Sequence, residues 1–158
     1  APCDTDVRVT GTTTSLTELY RHTVLSHSRD PHNCRRPSVY DHEAEGHNAL
    51  CGDKIHVYLR LQDNALADVA YEASGCAIAL ASASMMSDTV TGRSVAATRR
   101  TIDDFITGLS GPQAGNLEGE LAALGGVRDY PSRIRCATLP WQALRAALDA
   151  VQETVTTE

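Results

Sequence analysis

In the run His47-Asn-Ala-Leu-Cys-Gly-Asp-Lys54, a cysteine and an aspartate flank a glycine just ahead of an alternating apolar stretch. On an extended chain a thiolate and a carboxylate two residues apart point to one side, so Cys51 and Asp53 can offer two ligands to one cation. Glycine and aspartate are also ordinary turn formers, favoured there for backbone reasons alone. The pair becomes a site only if other segments bring further ligands to it.

The remaining cysteines are the candidates, since the chain also carries Cys3, Cys34, Cys76 and Cys136. Cys76 follows Ser74-Gly75 and opens a helix; Cys136 falls just before or within the first turn of the last helix. A helix N-terminus presents free N–H groups and a partial positive charge, both of which favour thiolate over thiol. Cys51, Asp53, Cys76 and Cys136 together make a workable tetrahedral set for Zn2+, or for an iron–sulfur cluster held mainly by thiolates. His27, His32, His42 and His47 resemble a second cluster. They lack an i, i+4 pair joined to a carboxylate on a clear helix, and read as surface or loop residues. A Ser–His–Asp hydrolase is unsupported, because no Gly-x-Ser-x-Gly elbow appears.

The elements that must position these groups follow from hydrophobic period. Residues 1–14 are Thr-rich without a sustained pattern and read as a flexible tail, leaving residues 15–158 as a single domain. Ser15-x-x-Glu18 has the form of a capping box and starts the first helix, which is expected to end before Arg29 because Pro31 restricts the residue ahead of it. Residues 37–46 read as a short strand. Ile55, Val57, Leu59 and Leu61 alternate with polar neighbours, Asp63-Asn64 turns the chain, and residues 65–73 return, so a hairpin is expected. Its two ends bring Cys51 and Cys76 to the same edge of the sheet. A small-residue helix follows to Gly92, then another over about 95–108. A glycine-containing connection with a short helical piece leads to a closing helix from Thr138. The expected fold is α+β, a three-stranded antiparallel sheet with helices packed on one face.

Composition narrows the function classes. At 158 residues the chain can bury a real core, and with 42% hydrophobic but only 4% aromatic residues that core must be mostly aliphatic. A net charge of −6 argues against a nucleic-acid partner, which needs a concentrated basic face. No apolar run approaches the roughly 18–20 residues of a membrane span. The first residues lack the basic-then-apolar order of a secretory signal, although a mature secreted chain would lack it too. An odd number of dispersed cysteines reads as reduced thiols in a cytoplasmic protein rather than as a disulfide framework.

The chain resembles the SufU/IscU-type iron–sulfur cluster assembly proteins. The resemblance lies in residues 19–33 (LYRHTVLSHSRDPHN), 51–59 (CGDKIHVYL), 75–92 (GCAIALASASMMSDTVTG) and 130–148 (YPSRIRCATLPWQALRAAL), in family order. It implies the same α+β fold and a metal or cluster site at Cys51, Asp53, Cys76 and Cys136. The longer connection around 110–128, and Arg135 directly before Cys136 where the IscU branch has histidine, make it look like the SufU branch. This branch is associated with Zn2+ and with accepting sulfur from a cysteine desulfurase. Two departures stand out. Ala49 replaces the proline of the family's Asn-Pro-x-Cys-Gly-Asp, which should loosen the ligand turn, and Asn33-Cys34-Arg35 stands where Asn-x-Gly is common.

The resemblance implies a zinc-dependent sulfur relay. Cys51, on a turn that moves more readily than a helix start, attacks the outer sulfur of a persulfide on a SufS-like desulfurase. Asp53 serves as the labile oxygen ligand, and Arg135 supports the thiolates or binds Asp53 when the metal is displaced. The sulfur then passes to a downstream iron–sulfur scaffold or apo-protein acceptor. The alternative is a scaffold on which a 2Fe–2S cluster is assembled and handed on. A surface beside Cys51, including Lys54 and residues 32–36, is the expected docking face for the desulfurase.

Overall fold

In the computed structural model, residues 3–5, 16–110, 117, 119–150 and 155–157 are described. Helix α1 (Leu16–Arg29) leads into three long strands, β2 (His42–Asn48), β3 (Asp53–Gln62) and β4 (Ala65–Gly75). These are followed by α2 (Ala77–Val90), α3 (Val95–Ser110), a 3-10 segment (Gly119–Asp129) and α4 (Pro131–Leu148). Two short strands complete the sheet, β1 (Cys3–Thr5) and β5 (Val155–Thr156). The strand order is β1-β4-β3-β2-β5, with β2, β3 and β4 antiparallel and both edge strands parallel to their neighbours.

The expected three-stranded antiparallel sheet is thus the centre of a five-stranded mixed one. The edges escaped sequence reading because strands of three and two residues are too short to show a period. Cys3–Thr5 lies within the stretch read as a flexible tail; the rest of residues 1–14, and Ser15 with its capping box, fall outside the described residues. Strand β2 begins later than expected because its inward positions, Ala44, Gly46 and Asn48, carry little apolar signal.

The β3–β4 hairpin forms as its alternation requires. Asp63 and Asn64 both take positive φ, 53° and 61°, the conformation of a type I′ turn that matches strand twist. Ile55, Val57 and Leu59 pair across to Ala73, Tyr71 and Val69, and all six are buried in one core with residues of α2, α3 and α4. Helix α4 approaches β2 closely: a Cβ on Gly46 would lie 2.9 Å from Leu139 and 3.3 Å from the Ala143 methyl. The small residues of α2 allow similar intimacy with α4, where the Ser82 hydroxyl donates to the Ala137 carbonyl at 2.5 Å and accepts from the Trp141 indole at 3.1 Å. Trp141 stacks on Phe105 of α3, with centroids 4.4 Å apart, at the centre of the helical layer. Among the described residues no helix is long and apolar enough to cross a membrane.

Helix α4 starts at Pro131, not near Thr138. Proline suits the first helical position because its missing N–H would have no partner there. This moves Cys136 into the second turn, away from the free N–H groups expected to favour its anion.

Candidate metal centre

Three elements converge at one end of the sheet. Cys51 sits in the tight turn between β2 and β3, closed by the Gly52 N–H donating to the Ala49 carbonyl at 3.3 Å. Gly52 takes φ +71°, which glycine adopts without strain. Asp53, the first residue of β3, is fully buried. The register sets Lys54 opposite Ser74, so Asp53 faces the end of β4 and the start of α2. Its Oδ1 accepts the backbone N–H of Cys76 at 2.9 Å. Gly75 is required at that crossing: a Cβ there would lie 2.3 Å from Asp53 Oδ1.

Cys51, Asp53 and Cys136 each offer a ligand atom within 4.8 Å of the others. Cys76, the N-cap of α2, joins them through a hydrogen bond between its sulfur and the Cys136 thiol. That bond lowers the Cys76 thiol to about 7, helped against burial by backbone N–H groups of the α2 start. The same bond, with burial, pushes the Cys136 thiol well above the ordinary range.

The donor set fits a thiophilic cation. Asp53 Oδ2 is buried without a hydrogen-bond partner among the described atoms, and a buried carboxylate oxygen left so is costly unless a cation or water meets it. Three sulfurs and one oxygen are a combination that Zn2+ accepts in four-coordinate sites.

Arg135 is exposed on α4, and its carbonyl accepts the Thr157 hydroxyl at 3.1 Å. Arg133, also exposed on α4, is held more firmly charged, chiefly by Cys76, with a hydrogen bond to Cys136 and a smaller influence of Cys51. Asn48 is a second residue that sequence reading passed over. Fully buried at the end of β2, it points its amide nitrogen at Cys136 Sγ, 3.6 Å away. Arg133 lies three residues before Cys136, hence on the same helical face, and Pro131 was the available signal that the helix already runs there.

The cysteines divide into two kinds. Cys51, Cys76 and Cys136 are free, whereas Cys34 is disulfide-bonded, which corrects the expectation of reduced thiols throughout. An odd cysteine count concealed it, since three of the five cysteines are free. Lys54 and residues 32–36 are at least partly exposed.

The NifU-like N-terminal domain family matches residues 19–156. The chain belongs to that family. Among curated relatives, the iron–sulfur cluster assembly scaffold protein IscU of Streptococcus pyogenes serotype M1 is 35% identical over 136 residues, 84% of each chain. The zinc-dependent sulfurtransferase SufU of Bacillus subtilis is 33% identical over 82% of this chain and 89% of its own length. Among solved structures, FiSufU of Fervidobacterium islandicum AW-1 superposes with a TM-score of 0.77 at 25% identity, covering 85% of this chain and 99% of that one.

Proposed function

We propose that this NifU-like domain works in iron–sulfur cluster biogenesis as a zinc-dependent acceptor of persulfide sulfur from a cysteine desulfurase. The observation that carries this reading is a set of three free thiols around a buried carboxylate whose Oδ2 has no partner, with one thiol on a half-exposed hairpin turn. Cys51, Asp53, Cys76 and Cys136 would hold the zinc. Bound there, zinc keeps the thiols deprotonated at neutral pH and orders the turn. A relative named as a zinc-dependent sulfurtransferase supports the reading.

Cys51 is the acceptor in this reading. Its thiolate attacks the outer sulfur of the desulfurase persulfide; a new S–S bond forms at Cys51 as the old one breaks, and the desulfurase cysteine leaves as thiolate. No net oxidant is consumed. Arg133 places positive charge beside the thiols, which stabilises the anionic sulfur before and after transfer. Asp53 anchors the start of α2 through the Cys76 N–H. A downstream scaffold or apo-protein then receives the sulfur.

Metal and acid-labile sulfide analysis of protein purified without air tests the assignment. Zinc without sulfide, lost from a Cys51→Ser/Cys76→Ser variant, is the expected result. Iron and sulfide in equal amounts would replace this reading with the cluster scaffold, the role named for the Streptococcus relative.

A further inference from the structure

The histidines that spacing left as surface or loop residues do not all stay there. His27, near the end of α1, is only 5% exposed. Its Nδ1 lies 2.6 Å from Ser84 Oγ of α2, and its Nε2 lies 2.5 Å from Glu120 Oε2 of the 3-10 segment. His32 stands beside it, ring centroids 4.7 Å apart, with Nδ1 2.5 Å from Asp88 Oδ2. His27, His32 and Asp88 each present a ligand atom within 4.8 Å of the others. The cleft there, about 300 Å3, is lined by His27, Asp88 and Glu120 with Met85, Thr89 and Arg93. Arg93 turns its guanidinium to the Thr101 hydroxyl at 2.8 Å.

We propose that His27, His32, Asp88 and Glu120 form a second cation site, for a divalent first-row transition metal, separate from the thiolate centre. Two imidazoles and two carboxylates are a donor set suited to Zn2+, Fe2+ or Co2+ and poorly suited to a thiophilic ion such as Cu+. The buried imidazole is already oriented for it. Ser84 Oγ accepts the His32 backbone N–H at 2.9 Å and meets His27 Nδ1 at 2.6 Å, which fixes the ring with Nε2 turned to Glu120. Asp88 is likewise fixed from outside, its Oδ1 accepting the Asn33 amide at 3.1 Å. In the metal-free protein each imidazole meets one carboxylate; a single divalent ion would bind all four groups at once. Along α2, Ser84 and Asp88 lie eight and twelve residues beyond Cys76, roughly 12 and 18 Å away at 1.5 Å per residue, so the two centres share no ligand. The Ser84–His27–Glu120 run has the residue types of a hydrolytic triad, but Ser84 is fully buried and no substrate reaches its hydroxyl.

Metal-free full chain titrated with Co2+ tests the site, because Co2+ on thiolates gives a sulfur-to-metal charge-transfer band and Co2+ on imidazole and carboxylate does not. The proposal expects a bound equivalent that contributes no such band and shifts the ring resonances of His27 and His32. His32→Ala and Asp88→Asn, both at half-exposed positions, should each weaken that equivalent at least tenfold and leave the charge-transfer band intact. Binding outside the thiolates that neither substitution alters, or none at millimolar Co2+, would overturn it and leave a hydrogen-bonded cluster only. If the charge-transfer band alone were missing, the thiolate reading would fail while this one stood.

Discussion

At the residue scale, the Cys76–Cys136 pair sets how the metal-free centre responds to pH. Cys76 is lowered to about 7 because the Cys136 thiol donates to its sulfur, so its anion is the form the fold prefers. A depressed value contributes stability above the ordinary thiol range, and that contribution is lost as pH falls through about 7. Cys136 is shifted the other way, its neutral form favoured. Alkylation of Cys76 in metal-free protein, followed by peptide mass analysis, should therefore reach half its maximal rate near pH 7. Cys136→Ala removes the donor and should move that midpoint upward by about one unit toward an ordinary cysteine. Asp53 offers a second residue-scale test. Asp53→Asn keeps an oxygen to accept the Cys76 N–H but removes the charge, so zinc affinity measured by competition with a chelator should fall by about tenfold or more, while the metal-free melting temperature changes little.

At the element scale, two glycines mark where segments pass too closely for a side chain. Gly75→Ala would push a methyl into Asp53 at φ +148°, a conformation L residues rarely adopt. The loss should be about 1–3 kcal/mol in denaturant unfolding, accompanied by loss of zinc, because the carboxylate itself must move. Gly46→Ala presses on Leu139, Ile55 and Ala143 instead. It should cost about 1–3 kcal/mol by overpacking and leave the metal ligands in place. The two variants separate damage to the site from damage to the β2–α4 contact. The same scale explains what sequence made legible. The hairpin was readable because strict alternation and Asp63-Asn64 agree, and its closure put Cys51, Asp53 and Cys76 at one edge. Cys136 was found as a candidate but with its helix started seven residues late, which hid Arg133 on the adjacent turn. Edge strands β1 and β5 had no period to read. The His27–His32–Asp88–Glu120 cluster was hidden because its carboxylates lie far from its histidines in sequence, His27 meeting Glu120 across 93 residues.

At the scale of the whole molecule, the hydrophobic core contains none of the four candidate ligands. Trp141, Phe105, Leu59, Leu80, Met86 and Leu144 are among the fully or nearly fully buried side chains that tie helices to sheet. Stripping the metal with a chelator should leave far-UV circular dichroism essentially unchanged and lower the melting temperature only by the linkage expected of a ligand bound to the folded state. Unfolding on chelation would instead mark a structural zinc module. Trp141→Ala, by contrast, should cost about 3–5 kcal/mol, since the indole fills the centre of the helical layer and bonds Ser82. A fold that holds without metal would leave the centre's ligands able to exchange, as the proposed transfer through Cys51 requires.

The most direct test of that transfer is incubation of the zinc-loaded chain with a cysteine desulfurase and sulfur-labelled cysteine, followed by mass analysis of each cysteine peptide. One labelled sulfur on Cys51, absent from Cys51→Ser while zinc still binds, is the predicted result. Label on Cys76 or Cys136 with Cys51 unmodified, or no label on any thiol, would contradict it.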